Sequence, residues 1–317
     1  MDNRELGKTG LKISPIVFGG NVLGWTLDEA ESFRILDAFI DHGFDTIDTA
    51  DVYSAWADGN SGGESETVLG NWLSARPGMR EKVKLFTKVG SDMGGESKKG
   101  LSERWISTAI DDSLSRLKTD YVDLYFSHWP DPTAQHHETL EAYDKLLKAG
   151  KIRAIGASNY DATMLENAAQ IASDKGLPHY QVLQPEYNLY DRDTFEGELR
   201  DYCIANNIGV VTYFSLASGF LSGKYRSKAD LEGRQRGGMV EKYVNDRGMK
   251  IIEALTDVAD KHSAAPAEVA LAWIINSDGV TAPIASATKV SQVESFAKAA
   301  ELVLTEEDMA HLNDAGN

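Results

Sequence analysis

Apolar and polar positions alternate between two textures along this chain. Short runs rich in Val, Ile, Leu and Phe recur at fairly even spacing, at residues 16–18, 46–48, 83–88, 122–127, 152–157, 181–184, 209–214 and 280–286. Each is short enough to be a strand buried on both faces. Longer stretches of helical period separate them. Residues 27–42 carry Ala30, Phe33, Leu36 and Ile40 on one face, and residues 101–117 carry Ile106, Ile110, Leu114 and Leu117. Residues 137–147 and 162–175 continue the alternation, and Asp28, Ser102, Asp161 and Thr305 stand where helix N-caps belong.

Strands that alternate with helices pair in parallel through right-handed crossovers. Eight such units close naturally into a (β/α)8, or TIM, barrel. The competing doubly wound sheet needs a phosphate-binding glycine turn after its first strand, and no G-x-G triplet occurs here. Gly7-Lys8-Thr9 is no P-loop, because Asp2 stands where that loop requires glycine. Two segments break the alternation. Residues 4–15 read as an N-terminal β-hairpin turning at Lys8-Thr9-Gly10, and the Gly-rich residues 222–250 make a long loop after strand seven. Without repeats or linkers, residues 1–317 read as one domain.

Charge narrows the partners. The chain has 49 acidic against 32 basic residues, a net charge of −17. Nucleic-acid backbones and anionic membranes are poor partners for such a surface. Cys203 is the one cysteine, so no intrachain disulfide forms; it reads as a structural thiol on a helix. Met1–Glu5 starts no signal peptide, and no apolar run approaches the ~20 residues needed to span a bilayer. The expectation is a soluble cytoplasmic protein.

Function in a parallel barrel gathers at the C-terminal ends of its strands. Those ends carry Asp48 with Tyr53 beyond it, Lys88, His128, Ser158-Asn159, Gln184, Tyr213 and Ser286. An inert barrel has no reason to collect these residue types on one rim. A nearby ammonium such as Lys88 favours the phenolate of Tyr53 and lowers its pKa from ~10. Asp48 would hold Lys88 charged. Tyr53 and His128 would form an oxyanion hole, with Tyr53 the general acid. This is equipment for reducing a carbonyl, given a hydride donor; no side chain donates hydride, so a nicotinamide cofactor is implied. A barrel aldolase using Lys88 as a Schiff-base nucleophile is an alternative, but it leaves Ser158, Asn159, Gln184 and Tyr213 without a task.

Several stretches together resemble the aldo-keto reductase superfamily over nearly the whole length. They are residues 6–14, residues 43–53 with Asp48 and Tyr53 five apart, Gly63-Glu64-Ser65-Glu66, Thr87-Lys88, residues 123–128, residues 150–159 and residues 215–224. The resemblance implies catalysis by Asp48, Tyr53, Lys88 and His128. It implies that Ser158, Asn159 and Gln184 hold the nicotinamide carboxamide and that Tyr213 stacks on the ring. Gly20 and Asn21 would also touch the cofactor. Ser215, Leu216, Ser218, Gly219, Leu221, Gly223 and Lys224 would line its pyrophosphate, chiefly through backbone N–H groups. At the adenosine end the chain departs from the family: Ser286, Thr288, Lys289 and Gln292 would meet a 2′-phosphate, with Lys289 the one cation among them. NADP(H) is the expected cofactor, with NAD(H) or dual use left open.

Trp25, Trp56 and Trp129 lie in loops at the same mouth and would line an aromatic pocket for a small aldehyde or ketone; Tyr160 and Tyr225 are weaker choices. No metal is expected, since the histidines lack ligand spacing. A cofactor-binding regulatory subunit with little turnover is the second functional reading. The oligomeric state is not readable. Within the acidic chain, residues 222–250 hold eight bases (Lys224, Arg226, Lys228, Arg234, Arg236, Lys242, Arg247, Lys250) against four acids, a local +4. That contrast predicts a basic flap over the cofactor phosphates.

Overall fold

Eight parallel strands close on themselves in a computed structural model that describes residues 2–233 and 237–316. The chain opens with an antiparallel pair, β1 (Arg4–Glu5) and β2 (Lys12–Ile13). The barrel strands are β3 (Val17–Gly19), β4 (Thr46–Asp48), β5 (Lys84–Val89), β6 (Leu124–Ser127), β7 (Ile155–Ser158), β8 (Val182–Gln184), β9 (Gly209–Thr212) and β10 (Ala282–Ala285). Neighbours in sequence are neighbours in space, and β10 closes the ring by pairing with both β9 and β3. This is the expected TIM barrel with its N-terminal hairpin.

Helices cover the outside: α1 (Glu29–Asp41), α2 (Glu64–Ser74), α3 (Glu103–Leu117), α4 (His136–Lys148), α5 (Ala162–Lys175) and α6 (Glu198–Asn206). After β9 come the short α7 (Gly237–Val240), then α8 (Asp246–His262), α9 (Pro266–Ile275), α10 (Val290–Glu301) and α11 (Glu306–Ala315). The four expected caps are in place. Asp28, Ser102, Asp161 and Thr305 accept from the N–H groups of Glu31, Trp105, Met164 and Asp308. Each satisfies a helix-end donor that would otherwise lack an acceptor.

Two apolar layers result. Leu6, Ile13, Val17, Phe86, Leu124, Phe126, Val182, Val211 and Ile284 fill the barrel interior, and the larger cluster lies between strands and helices. The hairpin plugs the N-terminal end of the barrel. Gly7 there has φ +53°, and a Cβ on it would stand 2.4 Å from the Gly209 nitrogen, so only glycine permits the approach.

The face of α1 differs from the expected one. Its buried stripe is Ser32, Ile35, Leu36 and Phe39, while Ala30 is exposed and Phe33 half-buried. Aromatic packing sets this rotation: Phe39 meets Phe44 in a stack at 4.7 Å and Phe18 edge-on at 5.4 Å. Phe33 instead lies under the Arg76 guanidinium.

The long loop is shorter than its sequence interval, because α8 begins at Asp246. Its remainder is tied down. Tyr243 donates to Asp191 at 2.7 Å and stacks on Phe220, and Lys242 pairs with Asp191 at 3.4 Å. Lys228 pairs with Glu241, and Arg247 donates to the Gly316 carbonyl. Arg234 and Arg236 lie outside the described residues. Among the described residues, no helix is long and apolar enough to cross a membrane.

Candidate active site

Burial dictates how the polar strand ends are arranged. Lys88, on β5, is fully buried, as is Asp48, on β4. An ammonium has three protons to donate, and the protein accepts all three of Lys88's: at Asp48 Oδ2 (2.6 Å), the Thr49 carbonyl (2.8 Å) and the Tyr53 hydroxyl (2.8 Å). Tyr53 in turn faces Asp48 Oδ2 at 3.3 Å. The other carboxylate oxygen, Oδ1, accepts from Gln184 Nε2 at 2.9 Å. His128 follows β6, with its ring edge-on to Tyr53 at 6.0 Å. The four residues expected to be catalytic therefore meet at one end of the barrel.

Tyr53 departs from one expectation. Burial, and then the charge of Asp48, push its hydroxyl well above the ordinary value. Lys88 does not reverse this, because burial lowers its own pKa while Asp48 opposes. A phenol that keeps its proton suits a general acid. Burial, assisted by Lys88, holds His128 well below the ordinary imidazole value and thus neutral.

The next ring of polar groups is continuous with this one. Ser158 Oγ donates to the Gln184 carbonyl at 2.8 Å. Asn159, at φ +63°, donates to the His128 carbonyl and to Ser158 Oγ, and accepts from the Tyr213 hydroxyl at 2.7 Å. Gln184, Ser158, Asn159 and Tyr213 thus form one hydrogen-bonded chain starting at Asp48.

After β9 the backbone enters an unusual stretch. Phe214, Ala217, Ser218, Gly219 and Gly223 all have positive φ. Such turns point successive N–H groups into one concavity and form anion cradles. The N–H groups of Gly219 and Leu221 return to Leu216, and that of Gly223 to Phe220. Those of Ser215 and Leu216 have no acceptor among the described residues. A Cβ on Gly219 would fill the space in front of the Lys224 ammonium, 3.4 Å away. The cradle fits a pyrophosphate, and the carboxamide and ring positions fit a nicotinamide.

Asn21 and Ser286 join the segments that follow the first and last barrel strands, Ser286 Oγ donating to Asn21 Oδ1 at 2.6 Å. Gly20 lies over β4, where a Cβ would stand 2.8 Å from the Asp48 carbonyl. Gln292 Oε1 accepts from the Thr288 and Lys289 backbone and braces the start of α10. Trp25 meets Trp56 edge-on at 5.6 Å, Trp56 meets Tyr53 at 5.9 Å, and Trp129 stacks on His128 at 5.8 Å. Trp56 and Trp129 are each 49% exposed, so the mouth is aromatic and open. Tyr160 and Tyr225 are buried instead. Among the described residues, no cluster of His, Cys, Asp and Glu could hold a metal ion.

A buried charge layer beneath the tetrad is not legible in the sequence. Glu66, fully buried on α2, accepts from Arg116 at 2.7 Å and from Thr87. Asp51 is also buried, and neither of its carboxyl oxygens has a hydrogen-bond partner among the described residues. Asp48 is balanced by Lys88 and Glu66 by Arg116, which leaves Asp51 the odd carboxyl. Burial, then the neighbouring Glu66, push it well above the ordinary carboxylate range.

The aldo/keto reductase family model matches residues 15–317. The chain belongs to the aldo/keto reductase family. Relatives match end to end. An uncharacterized oxidoreductase, YrpG, of Bacillus subtilis is 33% identical over 99% of this chain and 95% of its own length. The aldo-keto reductase YhdN of the same organism is 30% identical over 99% of this chain and 93% of its own. A probable voltage-gated potassium channel subunit beta of Arabidopsis thaliana is 32% identical over 96% of this chain and 92% of its own. This aldo/keto reductase is an NAD(P)-dependent oxidoreductase.

Proposed function

We propose that this aldo/keto reductase reduces the C=O of a small aldehyde or ketone to an alcohol, reversibly, with NADP(H) favoured and NAD(H) or dual use open. The observation that carries the reading is the unbroken network from Tyr53 through Lys88, Asp48 and Gln184 to Ser158, Asn159 and Tyr213. It ties the acid that delivers a proton to the groups that would orient the nicotinamide. A bound dihydronicotinamide would supply the hydride; Ser158, Asn159 and Gln184 would hold its carboxamide, and Tyr213 would support the ring. Tyr53 gives its proton to the carbonyl oxygen. Lys88, held in place by Asp48, stabilises the phenolate left behind, and neutral His128 donates to the same carbonyl oxygen. Trp25, Trp56 and Trp129 give an apolar surface to the substrate body.

Tyr53→Phe tests the assignment. Turnover of carbonyl substrates with NADPH falls by ~10²–10⁴, the usual scale for losing a general acid, while fluorescence titration shows cofactor binding intact. Undiminished turnover in that variant overturns it. The potassium-channel relative favours a second reading, a cofactor-binding subunit with little turnover. Multiple turnovers of any carbonyl, followed by NADPH absorbance, exclude that reading.

A further inference from the structure

The loop after β5 turns sharply at Gly90, whose φ of +124° favours glycine, and a Cβ there would press on Leu101 at 3.2 Å. The turn brings Ser91 back over the neighbouring strand end. Its Oγ stands 3.1 Å from Nδ1 of His128. The residue is fixed elsewhere as well: its backbone N–H donates to the Val89 carbonyl at 2.8 Å, its backbone carbonyl accepts from Asn159 at 3.0 Å, and Trp129 covers one face of its ring.

A neutral imidazole has one N–H and one bare nitrogen, and the partner of one nitrogen decides which is which. With hydrogen on Nε2, the ring can donate to a substrate oxygen. With hydrogen on Nδ1, it would present a lone pair to that oxygen and repel it. Ser91 Oγ contacts no acceptor among the described residues other than Nδ1. Its proton therefore has one destination inside the protein.

We propose that Ser91 is a positioning residue: it donates to Nδ1 of His128 and so fixes the Nε2–H tautomer that can donate to a carbonyl oxygen. The functional part of this inference rests on the carbonyl-reductase reading, whereas the tautomer does not.

The experiment therefore reads the tautomer directly. The full-length protein is labelled with ¹⁵N-histidine, and the His128 ring resonances are assigned by their loss in His128→Gln. In the wild type, Nδ1 gives a pyridine-like signal and Nε2 a pyrrole-like one. Ser91→Ala mixes the two tautomers, and Ser91→Thr, which keeps the hydroxyl, restores the wild-type pattern. With a carbonyl substrate, Ser91→Ala lowers kcat/KM by roughly tenfold, the scale of one hydrogen bond, at unchanged NADPH affinity. A pyrrole-like Nδ1 in the wild type, or an unaltered tautomer in Ser91→Ala, overturns the proposal. If the tautomers behave as stated but no carbonyl is turned over, the assignment of Ser91 stands and the carbonyl-reductase reading falls.

Discussion

The tetrad at the barrel mouth and the proposed adenosine end of the cofactor groove are built on opposite principles. At the mouth, Asp48, Lys88 and Gln184 are buried and bonded to one another, and each is the product of a strand that can end in only one place. At the adenosine end, half-buried Thr288 and exposed Lys289 lead into α10, exposed Gln292 stands on its first turn, and the three bond mostly to one another. A buried polar group must find a partner, so its geometry is over-determined. An exposed one has water as a partner and is free to drift in evolution.

Lys88→Met breaks the mouth most severely. It strands Asp48 as a buried carboxylate without its cation, which costs about 3–5 kcal/mol. Urea denaturation measures that cost, and turnover falls below detection alongside it. A loss under 1 kcal/mol would mean that Asp48 takes up a proton at little cost.

Asp51→Asn acts in the opposite direction. The folded pKa of Asp51 is raised, so its unfolded form releases a proton first. Below an ordinary value near 3.8 the group is neutral in both states and costs nothing. Above that pH the unfolded state is favoured, by at most ~1.4 kcal/mol per pH unit, until the folded carboxyl ionises as well. The variant therefore matches the wild type in stability near pH 3.5 and exceeds it at pH 7 by ~1–3 kcal/mol. Thermal unfolding at both pH values checks this, and equal stability at pH 7 would show Asp51 ionised and paired.

The adenosine end yields smaller effects. Lys289→Ala weakens NADPH binding by a few-fold, about 0.5–1 kcal/mol for an exposed ion pair, and leaves NADH binding unchanged. Equal losses for both cofactors would remove Lys289 from the 2′-phosphate. The smallest effect belongs to Lys224→Gln with Arg226→Gln: NADPH binding weakens more at low salt than at high salt. A salt-independent change would mean that this basic segment does not reach the phosphates.

The same contrast explains what could be read from the sequence. Strand ends carrying Asp, Lys, His and Gln stand out against apolar runs, so the barrel and its tetrad were legible. Glu66 and Arg116 were not, because their pairing joins two helices across 50 residues. The one available signal was an acid inside the stripe of α2 that carries Ser65, Leu69 and Trp72. Ser91 gave no signal, since one serine in a polar loop resembles any other. On α1 the stripes 30/33/36/40 and 32/35/36/39 both have helical spacing and share Leu36, and only the packing of Phe39 against Phe44 and Phe18 selects the second.

The bond from Ser286 to Asn21 spans 265 residues. It has a consequence for how the protein is made. At ~5–20 residues per second, a ribosome takes roughly 13–53 s to travel from one partner to the other. Throughout that interval β3 has one unpaired edge and Asn21 lacks its Ser286 partner. A ligand that binds only the closed ring would favour finished barrels over truncated ones by mass action.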